Sequence, residues 1–219
     1  MQKLLSASLM ALGVMTTMSA YANPDLRTTN AANWQARYLG ENWQAPLNTM
    51  YEGVYEVTPN NSWATANGLS WISPYPDTMG PDGYYSYMTI ITDDLGWLGS
   101  DQSAVFEKLT ITHSSDNRFE AVIINGVHYA DLSPQAGGYN AFGGFATNDV
   151  VGIDWNIGSP NTIEFIVYNG IGSGPNPTGF AAGIQATYSI TAIPEPETYA
   201  MMLAGLGIVG AIARRRRIK

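Results

Sequence analysis

Tyr84–Thr92 reads YYSYMTIIT, and this stretch sets the fold class. Apart from Ser86 and Met88, every residue is aromatic or β-branched. Such side chains lose rotamer freedom in a helix and pack well on a pleated sheet. Similar runs recur along the chain: Tyr51–Val57 (YEGVYEV), Ala104–Thr112 (AVFEKLTIT), Phe119–Ile124 (FEAVII), Val150–Trp155 (VVGIDW), Ile163–Tyr168 (IEFIVY) and Ala181–Ile190 (AAGIQATYSI). Asn67-Gly68, Asn125-Gly126, Asn169-Gly170 and the loop from Gly172 to Gly179 punctuate them. No long window shows an apolar period of 3.6 residues. Closely spaced strands without intervening helices predict an all-β, antiparallel β-sandwich of the jelly-roll kind, with a flattened barrel as the alternative.

The composition agrees. The chain has 219 residues, 23 Gly, 13 Tyr and 6 Trp, with only 13% charged residues. With no cysteine, disulfides, thiolate metal sites and cysteine nucleophiles are excluded. The core alone must hold the fold, and a domain of about 170 residues buries enough surface for that. Between residues 23 and 193 there are four basic and sixteen acidic residues, a net of −12. Such a surface repels nucleic acid and anionic lipid and disfavours phosphorylated ligands.

The two ends differ from the middle. Residues 1–22, MQKLLSASLMALGVMTTMSAYA, carry one cation at Lys3, then an uncharged apolar run, then Ala20-Tyr21-Ala22. This order predicts a signal peptide, helical in its apolar part, with Ala20 and Ala22 as the small residues of the cleavage site. Export through the Sec translocon and cleavage by signal peptidase follow. The expected division is a signal peptide at 1–22, a β-sandwich domain at 23–192 and a tail at 193–219.

That tail begins with the stiff segment Pro194-Glu195-Pro196. Tyr199–Ala213 follows without a charge, and Arg214, Arg215, Arg216 and Arg217 close it. As a helix the uncharged stretch spans about 22 Å, against a hydrocarbon thickness of roughly 30 Å. It predicts a short transmembrane helix, held by its cytoplasmic arginine cluster with the domain on the periplasmic side. Gly205-Leu206-Gly207-Ile208-Val209-Gly210 satisfies G-x-G-x-x-G, but no strand precedes it and no acidic residue follows at the required distance.

The order Pro-Glu-Pro, short apolar helix, arginine cluster resembles the PEP-CTERM sorting signal. The resemblance implies recognition at Pro194, Glu195 and Pro196 by an exosortase, a membrane transpeptidase of Gram-negative bacteria. It implies an inner-membrane-anchored precursor, later delivered to the cell envelope or outside the cell, in a host that makes exopolysaccharide. The middle also resembles, over about 120 residues, a domain carried by many proteins with this tail. The matching residues are Ser70-Trp71-Ile72-Ser73, Gly83-Tyr84-Tyr85, Asp116-Asn117, Ile124-Asn125-Gly126, Asn161–Phe165 and Gly179–Ile190. Similar domains adopt a galactose-binding-like jelly roll, and related folds often bind sugars, although fold does not fix function.

No catalytic constellation stands out. His113 and His128 sit in strand-like contexts and read as packing or polar residues; H-E-x-x-H and G-x-S-x-G are both missing. Asp93, Asp94, Asp101 and Asp116 are the candidate oxygen ligands for a structural calcium ion, against the plainer reading of solvated loop acids; no other cofactor is expected. Trp71 and Trp155 read as core. Trp97, in Asp94-Leu95-Gly96-Trp97-Leu98-Gly99, is the candidate ligand-facing aromatic, against the plainer reading of a buried ring. The expectation is therefore a non-enzymatic, exosortase-sorted envelope or matrix protein associated with polysaccharide. The alternatives are a carbohydrate-active enzyme, and a purely structural or adhesive matrix component.

Overall fold

The computed structural model describes residues 19–44, 49–66, 68–93, 95–96, 98–129, 142–170, 176–193 and 196–217, and its side chains outside 19–26, 196–198 and 217. Among the described residues there are fourteen strands and one helix: β1 Ser19–Thr28, β2 Trp34–Gly40, β3 Glu52–Gly53, β4 Tyr55–Val57, β5 Trp71–Ser73, β6 Met79–Gly80, β7 Gly83–Thr92, β8 Gln102–Asp116, β9 Arg118–Ile124, β10 Val127–Tyr129, β11 Ala146–Val151, β12 Pro160–Asn169, β13 Asn176–Pro177, β14 Gly179–Ala192 and α1 Pro196–Arg217. Two compact units divide them. The larger, Ala20–Trp97 with Val105–Ser189, is the sandwich.

The sandwich has two six-stranded sheets. Sheet A runs β11-β8-β14-β5-β4, with β1 also paired to β14; sheet B runs β10-β9-β12-β7-β2-β3. The quoted Tyr84–Thr92 stretch is β7, near the centre of sheet B, and pairs antiparallel with β12 from Gly83↔Asn169 to Thr92↔Pro160. Among the described residues no pairing joins the two sheets, so the architecture is a sandwich and not the flattened barrel.

Alternation along each strand divides core from solvent. On β7, Tyr85, Tyr87, Thr89 and Ile91 point inward and are buried. Phe180 of β14 meets them from sheet A: its ring lies 5.1 Å from Tyr87, 4.8 Å from Phe165 and 5.7 Å from Trp34. Aromatic pairs at such distances add about 0.5–1.5 kcal/mol each beyond their buried area. A second cluster packs Trp63, Trp71 and Ala181 with Val57, Phe142 and Phe145. Trp71 and Trp155 are buried, as their runs predict. Asn125 and Gly126, with φ of 51° and 80°, form the two-residue turn between β9 and β10. The Asn125 amide donates to Asp154 O and Asn161 Oδ1, and its Oδ1 accepts from Thr162 N, tying this turn to β12.

Two expectations need adjusting, and a third falls mostly outside the described residues. The expected strand at 150–155 is instead β11, ending at Val151. Residues 1–18 of the expected signal helix lie outside the described residues, but Ser19–Ala22, with Ala20 and Ala22, belong to β1. The backbone of β1 finds its partners on β14, which local sequence does not reveal. The expected transmembrane helix is also corrected. A helix of 22 residues forms at Pro196–Arg217, yet among the described residues no helix is long and apolar enough to cross a membrane. The physical reason is visible in its sequence: Glu197 and Thr198 occupy its start and four arginines its last turn, leaving only the 15 uncharged residues between.

The second unit holds Leu98–Ala104 and the chain from Ile190 onward. Within it, Ile193 N donates to Asp101 O at 2.7 Å and Gln102 N to Gly99 O at 3.0 Å. The apolar side chains of α1, among them Leu203, Leu206, Ile208 and Ile212, are exposed.

Candidate functional site

The outer face of sheet B carries an organised set of polar side chains. Because Tyr85, Tyr87, Phe165 and Val167 point into the core, alternation sets Tyr84, Ser86, Met88, Glu164, Ile166 and Tyr168 on the opposite face of the sheet, where neighbouring side chains cover Ser86 and Ile166. Arg37 and Gln35 of β2 lie beside Ser86 and Met88 in register. Tyr51, just before β3, reaches over this face.

Glu164 is the hub. Tyr51 Oη donates to its Oε2 at 2.6 Å, Ser86 Oγ donates to the same oxygen at 3.1 Å, and Arg37 Nη2 lies 3.6 Å away. The Arg37 guanidinium also sits 4.3 Å from the centre of the Tyr51 ring, within cation–π range. Burial, reinforced by the hydrogen bond to Glu164, pushes the Tyr51 hydroxyl well above its ordinary value, so it stays a donor. All these partners converge on Oε2; Oε1 takes no hydrogen bond among the described residues. The side chains of Arg37 and Glu164 remain 23% and 22% exposed, so this oxygen belongs to a held yet reachable carboxylate.

A second station repeats the chemistry one turn of the pleat away. Arg118 pairs with Glu120, and its guanidinium lies 5.1 Å from the Tyr168 ring centre. Tyr84 packs on Tyr168 at 4.8 Å. Burial, then the nearby Glu120, raise the Tyr84 hydroxyl, with Arg118 opposing. Beneath these rings Leu39, Ala121 and Ile166 form a small apolar floor, flanked by Trp43, Tyr84 and Ile123. His128 stands edge-on to Trp43 at 5.3 Å. At the opposite end of the same face an open cleft of about 430 Å³ is lined by Ala31, Asn33, Gln35, Gly53, Met88 and Ile90, among others.

The residues named from sequence lie elsewhere or outside the described residues. Trp97 and Asp94 lie outside the described residues. Asp93 is buried, accepting from Tyr188 Oη and, at 3.4 Å, from Leu95 N. Asp116 is buried at the other end of the sandwich, accepting from Trp63 Nε1 at 2.8 Å. Asp93 follows Thr92, whereas Asp116 lies near the Gly83 end of β7, and that strand is ~30 Å long. Asp101 belongs to the second unit. Asp93 and Asp116 are thus far apart, and no cluster of three metal-ligating side chains occurs among the described residues. Burial lifts the Asp116 carboxyl to about 6, with the Trp63 N–H opposing the shift. His113 is fully buried, 4.2 Å from the Phe119 ring, with Nε2 3.3 Å from Asn148 Oδ1. Burial lowers it to about 4, so it is neutral at pH 7 and serves the core.

Sequence reasoning missed Arg37, Tyr51, Ser86 and Glu164. One signal was available: Glu164 is the lone charge in the apolar run IEFIVY, which places it on the solvent side of an otherwise buried strand.

In the tail, α1 opens at Pro196, whose missing N–H costs nothing in a first turn. Pro194 and Glu195 lie outside the described residues. Arg214, Arg215 and Arg216 are exposed, and Arg217 is the last helical residue.

Both regions have counterparts among known proteins. Residues 192–217 match the PEP-CTERM protein-sorting motif. The motif implies an exported protein that is membrane-anchored before exosortase processing. No curated protein matches the chain in sequence. Among solved structures, similar folds include a family 35 carbohydrate binding module from Clostridium thermocellum, at 11% identity and TM-score 0.35, covering 74% of this chain and 95% of that one. Another is a β-glucosidase from Kluyveromyces marxianus in complex with glucose, at 12% identity and TM-score 0.34, covering 80% of this chain and 18% of that one. A family 35 module from an environmental isolate gives 16% identity and TM-score 0.30, covering 59% and 85%.

Proposed function

We propose that this chain is a non-enzymatic protein of the Gram-negative cell envelope or extracellular matrix, whose β-sandwich associates with polysaccharide. It is exported through the Sec translocon and cleaved by signal peptidase near Ala22. The precursor is held transiently at the inner membrane with the sandwich on the periplasmic side. An exosortase then processes it at or near Pro194-Glu195-Pro196. The observation that carries this reading is the sorting motif at residues 192–217, with its exposed arginine cluster. The exposed arginines attract anionic headgroups, and a helix with 15 uncharged residues suits a temporary hold at the membrane better than a permanent span.

The sheet B face supports the polysaccharide part. Its two glutamates are engaged by arginines, an arrangement suited to fixed hydrogen-bonding positions more than to proton transfer. The test is fractionation of cells making the chain with and without an exosortase. With the enzyme, a shortened form leaves the inner membrane; without it, the full-length precursor stays there. An identical distribution in both strains refutes the sorting reading.

A further inference from the structure

Resting on the polysaccharide reading above, we propose that the outer face of sheet B binds a neutral, unbranched polysaccharide lengthwise along β7 and β12, at sugar units internal to the chain. Three stations succeed one another there. The cleft beside Gln35, Met88 and Ile90 comes first, the Arg37–Tyr51–Ser86–Glu164 group second, and the Tyr84–Tyr168 pair with Arg118 and Glu120 third. From Ile90 to Tyr84 the strand advances about 20 Å, so one ligand touching all three must be extended.

Each station presents what a sugar ring offers to meet. Tyrosine rings take the apolar C–H face, and ring hydroxyls need donors and acceptors at fixed positions. Glu164 supplies an acceptor already oriented: Tyr51, Ser86 and Arg37 hold Oε2, and Oε1 is left without a partner among the described residues. Preorganisation on paired central strands removes the ordering cost of binding. The same face argues for a neutral ligand. Both of its arginines already face a glutamate, and the surrounding domain carries sixteen acids against four cations, which repels a polyanion.

Isothermal titration of the full chain, in a non-glycosidic detergent, with cello-, xylo- and manno-oligosaccharides of two to six units tests this. Affinity electrophoresis in gels containing the parent polysaccharides or polygalacturonate accompanies it. For at least one neutral ladder, affinity should rise at least tenfold from the disaccharide to the longest member. Glu164→Gln and Ser86→Ala should each lower hexasaccharide affinity by about tenfold, with near-UV circular dichroism unchanged. Gln35→Ala should weaken the hexasaccharide and leave the disaccharide unaffected. Equal affinity for disaccharide and hexasaccharide overturns lengthwise binding while leaving polysaccharide association standing. Stronger retention by polygalacturonate overturns the neutral-ligand assignment. Binding unaltered in folded Glu164→Gln and Ser86→Ala moves the site off this face. No binding to any ladder and no retention in any gel overturns both the proposal and the reading beneath it, and self-association on sedimentation would then assign the face to a second copy.

Discussion

Replacing Asp116 by Asn should stabilise the sandwich above pH 6 and have little effect below pH 4. The buried carboxyl titrates at about 6, against an ordinary value of 3.8. Two pH units correspond to about 3 kcal/mol at 1.36 kcal/mol per unit. The sign follows from linkage: the folded state holds its proton more tightly than the unfolded chain. Stability is therefore full below the unfolded pKa and falls as pH rises from 3.8 to about 6, where it levels off. Asparagine removes the charge and keeps an acceptor for Trp63 Nε1, which now bonds Asp116 Oδ2 at 2.8 Å. Asp116 Oδ1 has no partner among the described residues, so little is lost with it. The gain at pH 8 should approach about 3 kcal/mol, or roughly 6–12 °C in melting temperature for a domain of this size. Thermal or urea unfolding of both proteins from pH 4 to pH 8 measures it. An Asp116→Asn variant less stable than the parent at pH 8, or a difference that does not shrink by pH 4, would refute the reasoning.

His113 should act with the opposite sign. Its pKa is depressed to about 4, so stability falls as pH drops from 6.5 towards 4, by up to about 3 kcal/mol, partly cancelling the Asp116 contribution. His113→Leu should flatten that acid limb in unfolding measured across this range. Phe180→Ala should cost about 3–5 kcal/mol, because Phe180 is buried where Trp34, Tyr87 and Phe165 meet across the two sheets; a loss under about 1 kcal/mol in urea titration would contradict the packing. Replacing Arg214, Arg215, Arg216 and Arg217 by Gln should release precursor from the inner membrane, read by fractionation without exosortase; unchanged retention would leave the cluster without that role.

The antiparallel all-β class was legible because β7, β9 and β12 carry dense β-branched and aromatic runs whose burial on one face needs no long-range information. The Asn125-Gly126 turn was legible because positive φ at two successive residues leaves few alternatives. The Pro-Glu-Pro, apolar, arginine order was legible because it acts as linear sequence, independent of what the sandwich does. Strand β2 was not: Trp34–Gly40 alternates only over five residues before Leu39 breaks the pattern, and its place beside β7 is decided by pairing. The site followed the same divide. Arg37, Tyr51, Ser86 and Glu164 are separated by as much as 127 positions, from Arg37 to Glu164, and only the registers of β2, β7 and β12 set them on one face. The registers of β9, β12 and β7 likewise put Asp116 near the start of β7, far from Asp93 at its end. Local sequence determines which backbone a segment prefers and which peptide an enzyme can read; which side chains share a surface depends on pairing between distant strands, and that free energy exists only in the folded sandwich.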